Sequence, residues 1–146
     1  MSIDSDDFLV MAQSSMDNLD NEAGYRNTIS RAYYSAYHMA LSCITEKVIP
    51  SYNGKGSKLV KGGVHAKFFH YLSNDADKDY AYPKEKLELI SVKLKMAHQF
   101  RVQADYRLNR NITKNDAMQA FISATELVKF ISDMKTESAS KGQVAK

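Results

Sequence analysis

"SRAYYSAYH", residues 30–38, decides how this chain is read. Three tyrosines, an arginine and a histidine crowd about two and a half helical turns, where leucine would be the ordinary filler. The apolar positions continue on both sides: Ile29, Ala32, Tyr33, Ala36, Tyr37, Ala40, Leu41 and Ile44 recur every three to four residues. That period predicts one long helix over about residues 21–48, ended by Pro50, which has no N–H to continue the ladder. Its small residues, Ala32, Ser35, Ala36 and Ala40, allow a neighbouring helix to come close.

Working toward the N-terminus, Phe8, Leu9, Met11, Ala12, Met16 and Leu19 form the apolar stripe of a first helix over about residues 4–18, with Ser5 as the expected cap. Toward the C-terminus, "SYNGKGSKLVKGG" (51–63) has four glycines and three lysines, so it reads as a flexible basic loop. It lacks the Gly-x4-Gly-Lys spacing of a phosphate-binding loop. A short helix follows over about 64–72, with Val64, Phe68, Phe69 and Leu72 inward, and then an acidic loop, "SNDADKDYAYP". Pro83 is placed to open a fourth helix that runs to about residue 106 on Leu87, Ile90, Leu94, Ala97 and Phe100. Thr113 and Asp116 form a capping-box pair before the apolar series Met118 to Met134 of a fifth helix. From about residue 136 the tail is polar and is expected to be disordered. The expected architecture is therefore all-α: an up-and-down bundle of four long helices plus a short one, in a single domain over residues 1–135 with a tail over 136–146.

Composition narrows the class. A length of 146 residues suits one core, and 44% hydrophobic with 25% charged residues is ordinary for a globular domain. No apolar run reaches the ~18 residues of a membrane span, so no membrane partner is expected. The acidic start "MSIDSDDFLV" lacks the basic opening of a secretory signal. The single cysteine, Cys43, has no internal partner and reads as a buried thiol in a reducing cytoplasm. The net charge of +3 is uneven: residues 1–24 hold six acidic side chains and no Lys or Arg, so the remainder carries +9. A basic body of this kind suits nucleic acid on one face, and equally a solvated surface of uneven charge.

Two stretches carry candidate chemistry. Arg31, Tyr34, Ser35 and His38 share one face of the second helix, with Arg31 and His38 about 10 Å apart along the axis. A fixed cation, a hydroxyl and a titratable imidazole along one groove would suit a phosphodiester; the same face would also serve to pack the bundle through tyrosine hydroxyls. In "QFRVQADYRLNRN" (99–111), Arg101 and Asp105 are spaced to pair, Tyr106 ends the helix, and Arg107 and Arg110 add charge beyond it. An arginine locked by a carboxylate suits holding a phosphate, and suits equally a salt bridge that fixes this helix on the second. His65 and His70 are i, i+5 and His98 stands alone, so no metal site is expected. No base partner at readable spacing supports a serine or cysteine nucleophile.

Three segments in order, "RNTISRAYYSAYHMA" (26–40), "GGVHAKFFHYL" (62–72) and "RVQADY" (101–106), resemble the small stand-alone branch of the HEPN superfamily, over about residues 20–135. The resemblance implies a helical bundle that dimerises, here a homodimer, and a metal-independent endoribonuclease or RNA-binding effector of a prokaryotic defence or toxin–antitoxin module, without a cofactor. Its alternative is an inactive module that binds a nucleotide or a partner protein: a nucleotidyltransferase, an antitoxin or a larger effector. Active members use an arginine followed four to six residues later by a histidine. Arg101 stands for the arginine, but Asp105, Tyr106 and Arg107 occupy the histidine positions, and no histidine follows His98. The only Arg-x6-His is Arg31 to His38. The expected catalytic set is accordingly Arg101, His38, Tyr106, Asp105 and Arg31, with Arg101 and His38 facing one water-reachable hollow. Lys55, Lys58, Lys61, Arg107 and Arg110 are the expected RNA-binding cations.

Overall fold

The computed structural model describes residues 3–44 and 63–140. Six helices lie among them: α1 (Ser5–Asn18), α2 (Glu22–Leu41), α3 (Val64–Asn74), the one-turn α4 (Ala76–Asp79), α5 (Lys84–Tyr106) and α6 (Lys114–Ser140). No strand occurs among the described residues. The all-α bundle is the architecture observed, with four long helices, the short α3 and, in addition, the one-turn α4.

Local chemistry sets the helix ends. The cap of α1 is Asp4, one residue before the expected Ser5. The Asp4 carboxylate accepts from the backbone N–H groups of Asp6 and Asp7 at 3.0 and 3.1 Å, and Asp7 answers the Asp4 N–H at 2.9 Å. Ser5 lies inside the helix, and its carbonyl takes the Ser35 hydroxyl at 2.7 Å, joining α1 to α2. Asn21 caps α2 through the Gly24 N–H at 2.9 Å. Glycine is required there: a Cβ on Gly24 would sit 2.0 Å from the Leu19 carbonyl oxygen, so the tight α1–α2 turn leaves no room for a side chain.

Pro83 takes the cap position of α5 rather than its first turn. The Thr113–Asp116 pair before α6 forms both capping bonds, at 2.9 and 3.1 Å. The described part of α2 ends at Leu41, and the remainder of the predicted 21–48 helix lies outside the described residues. The acidic loop after α3 contains α4, whose Ala76 is fully buried under the core. Of the tail expected to be disordered, residues 136–140 are helical, because α6 continues to Ser140, and residues 141–146 lie outside the described residues. Glu137 pairs with Lys86 at 3.0 Å and Ser138 is buried, so the last turn has contacts to hold it.

The centre of the bundle is α2, which packs on α1, α5 and α6, while α3 packs on α5. Its small residues do what their size suggests: Ala32, Ser35, Ala36 and Ala40 are all buried, and Ala32 meets Ala12 of α1 and Ala124 of α6. The main core gathers Tyr33, Phe68, Leu87, Ile90, Leu94 and Ile131 around this axis. Each such side chain contributes roughly 1.5–3 kcal/mol of burial. No helix among the described residues is long and apolar enough to cross a membrane.

Candidate functional site: a tyrosine–histidine–arginine cluster

With α2 at the centre, its polar-tipped side chains are pressed against α3 and α5. α2 contributes Ser30, Arg31, Tyr33, Tyr34, Tyr37 and His38; α3 contributes His65; α5 contributes His98, Arg101, Asp105 and Tyr106.

Arg101 is the charged heart of the cluster. Its side chain is 9% exposed. The guanidinium carbon lies 5.6, 5.4 and 5.9 Å from the ring centres of Tyr33, Tyr34 and Tyr106, within cation–π range of all three. Arg101 Nη1 donates to Asp105 Oδ2 at 3.2 Å, and the Ser30 hydroxyl donates to the same oxygen at 3.2 Å. Burial is the largest single influence and opposes the charge of Arg101, but the hydrogen bond to Asp105, the charges of Tyr34 and Asp105 and the hydrogen bond with Tyr106 together outweigh it and hold the group above its ordinary range. Arg101 is therefore a fixed cation. Its Nε is buried and meets no acceptor among the described residues. Arg31 repeats the pattern: its guanidinium lies 5.7 Å from the Tyr34 ring centre, and its Nε is likewise buried without an acceptor. Two guanidinium groups thus flank one phenol ring.

Three imidazoles complete the cluster. His65 Nδ1 is 2.6 Å from the Tyr33 hydroxyl. Burial pushes the Tyr33 phenol far above its ordinary range, so it keeps its proton. Burial also lowers His65, with help from the neighbouring His98, Arg101 and His38, to about 4. With the Tyr33 phenol as donor, a neutral His65 accepts at Nδ1 and carries its own hydrogen on Nε2. His98 stacks on His65 with ring centres 4.8 Å apart, and burial followed by the charge of Arg101 lowers it as well. His38 is exposed and stacks on Phe8 of α1 at 5.0 Å. Partial burial lowers its pKa.

The expected meeting of Arg101 and His38 is realised only in part. Both border Tyr34, at 5.4 and 6.2 Å from its ring centre, so they lie on the same side of the molecule. No hydrogen bond joins them, and Arg101 is 7% exposed, so the hollow is far less open on the arginine side than expected. Asp105 and Tyr106 adjoin Arg101 as their spacing suggests; Tyr106 is 70% exposed. Arg107 and Arg110 lie outside the cluster, in a cleft of about 520 Å³ on the outer face of α5. Lys55, Lys58 and Lys61 lie outside the described residues.

Sequence reasoning missed two of the three imidazoles and one structural arginine. His98 precedes Arg101 by three residues, and that spacing on one helix face was the available signal. Nothing near His65 announces its partners on α2 and α5. The missed arginine is Arg26 on α2. Its Nη1 donates to the carbonyls of Ala104, Gln103 and Arg107 at 2.8, 3.3 and 3.3 Å. Its Nη2 reaches the carbonyl of Arg110, and Glu22 holds the other edge of the guanidinium at 2.8–2.9 Å. Arg26 therefore satisfies the open carbonyls at the C-terminal end of α5, where the helix dipole favours a cation. That clamp fixes the segment carrying Arg101 and Asp105 on α2.

Cys43 is buried and its thiol is pushed up to about 11 by burial, which disables it as a nucleophile at neutral pH. Among the described residues no three His, Cys, Asp or Glu side chains gather as a metal set. The cluster can therefore attract an anion through fixed guanidinium charge and exchange a proton through imidazoles that are neutral at pH 7. No family model, curated protein or solved structure matches the chain.

Proposed function

We propose that this domain acts on RNA as a metal-independent endoribonuclease of the HEPN type. The observation that carries the proposal is Arg101: a buried cation with an unpaired Nε, set among three tyrosine rings and bordered by imidazoles. Guanidinium charge stabilises the extra negative charge that develops on a phosphoryl group under attack. A neutral imidazole takes the proton of a ribose 2′-hydroxyl as that oxygen attacks phosphorus. The bond to the 5′-oxygen breaks, and the imidazolium so formed returns its proton to that oxygen. The products are a 2′,3′-cyclic phosphate and a 5′-hydroxyl. A defence or toxin–antitoxin setting, a cytoplasmic location and a homodimer belong to the same proposal.

The test is RNA cleavage in EDTA by wild type, Arg101→Ala and His38→Ala. The expected result is cyclic-phosphate ends from wild type and a loss of about 100-fold or more in Arg101→Ala. His38→Ala separates the exposed imidazole from the two held by Tyr33 and by stacking. Equal residual cutting by all three proteins rejects the nuclease.

The burial of Arg101 and the missing histidine after it favour a second reading, a module that binds RNA, a nucleotide or a partner protein such as a nucleotidyltransferase, antitoxin or effector without cutting. Co-purification of a tight complex, together with absence of cleavage, distinguishes it.

A further inference from the structure

Outside the cluster, α5 carries two adjoining clefts on its solvent face. One, of about 340 Å³, lies between α3 and α5 and is bordered by His70, Lys95, His98 and Gln99. The other, of about 520 Å³, is bordered by His98, Gln99, Gln103, Arg107, Asn109 and Arg110. His98 and Gln99 belong to both, so the clefts form one continuous track. Lys95, Gln99 and Arg107 are exposed along it. From Lys95 to Arg107 the helix advances about 18 Å.

The chemistry of the track is one-sided. Its polar groups are cations, amides and imidazoles, and among the described residues no carboxylate lines either cleft. Asp105, on the same helix, is turned away to Ser30 and Arg101. Among the described residues neither Lys95, Arg107 nor Arg110 pairs with a carboxylate. Arg110 is steadied instead by the side-chain oxygen of Gln103 and by the Phe100 ring at 5.9 Å. His98 joins the track to the cluster: it opens onto both clefts and stacks on His65 beside Arg101.

We infer that an extended single strand of RNA lies along the outer face of α5, with phosphates at Lys95, Arg107 and Arg110 and bases at Gln99, Gln103 and Asn109. The inference rests on the RNA reading above and adds the path and the strandedness. A duplex presents two rows of phosphates, whereas α5 offers one row of cations. In RNA the Watson–Crick and Hoogsteen edges that side-chain amides read are open to them where bases are unpaired. A strand on this path passes His98, which brings its backbone to the edge of the tyrosine–histidine–arginine cluster.

The experiment is fluorescence-anisotropy binding of a labelled single-stranded RNA of about 10 nucleotides, in EDTA, over a salt series. A blunt duplex of the same sequence is the second arm. The proteins are wild type, the double variant Lys95→Glu/Arg107→Glu, and Lys129→Glu on the exposed face of α6 as a charge control, each first checked by circular dichroism for unchanged helicity. The expected result is single-strand binding by wild type, weakened at least about tenfold in the double variant and unchanged in Lys129→Glu. Each lost phosphate contact also lowers the salt slope by about 0.7. Equal binding by wild type and the double variant overturns the α5 path while leaving the RNA reading intact. Preference for the duplex overturns the strandedness. Absence of RNA binding by wild type removes the RNA reading and the path together.

Discussion

The hydroxyl of Tyr33 on α2 lies 2.6 Å from Nδ1 of His65 on α3, and with the phenol as donor the hydrogen of the neutral imidazole sits on Nε2. Tyr33→Phe keeps the ring and its packing but removes the donor. We expect a stability loss of about 1 kcal/mol, the scale of one neutral hydrogen bond. The more specific outcome is tautomeric. Nitrogen-detected NMR of His65 shows a single Nε2–H form in wild type and a mixture in Tyr33→Phe. An unchanged tautomer in the variant contradicts the assignment.

Protonation of the same ring destabilises the fold. His65 titrates near 4 in the folded protein and near 6.5 in the unfolded chain, so between these values the unfolded chain binds the extra proton. The stability contributed by a neutral His65 is complete above about pH 6.5 and is lost as pH falls toward 4. With solvent screening of this half-buried group the loss is about 1–2 kcal/mol. Urea unfolding at pH 7 and pH 5 measures it. His65→Gln removes this part of the pH dependence, so the difference between wild type and variant shrinks as pH falls.

Arg26→Ala removes a guanidinium that serves four carbonyls at the end of α5 and the carboxylate of Glu22. Some of these carbonyls face water and recover a partner there. The net cost is about 2–3 kcal/mol, the range for hydrogen bonds to a charged group. Arg26→Lys recovers little of it, because an ammonium cannot span the set in one plane. Chemical unfolding gives the magnitude. Hydrogen exchange localises it, with Ala104 to Arg107 exchanging faster in the variant. A stability change below about 0.5 kcal/mol would show that water replaces the clamp.

Helical periodicity made most of the architecture legible, because amphipathic spacing and caps such as Thr113–Asp116 are local. The same locality set its limits. Both Ser5 and Asp4 are acceptable caps by residue type, and the carboxylate prevails because Asp7, three residues on, answers it in a reciprocal capping box. The one-turn α4 is too short to show a period, and the end of α6 is held by Lys86, distant in sequence.

At the site, the Arg101–Asp105 pair was readable as neighbours on one helix, and the structure contains it. The stacking of His65 on His98 was not, because it joins α3 to α5 and belongs to neither helix's own pattern. Arg26 was hidden for the same reason: its acceptors lie 77 to 84 residues away.

Asp105 Oδ2 receives both Ser30 from α2 and Arg101 from its own helix, and that shared oxygen acts as a rivet between the two longest walls of the cluster. One helix cannot slip along the other by a turn without stripping Ser30 from that oxygen and Arg26 from the carbonyls of Gln103 and Ala104, while the Arg101 bond, internal to α5, travels with the helix. These cross-helix bonds oppose shear in this part of the molecule, so a rearrangement of the cluster falls to its phenol and imidazole rings while the backbone stays in register.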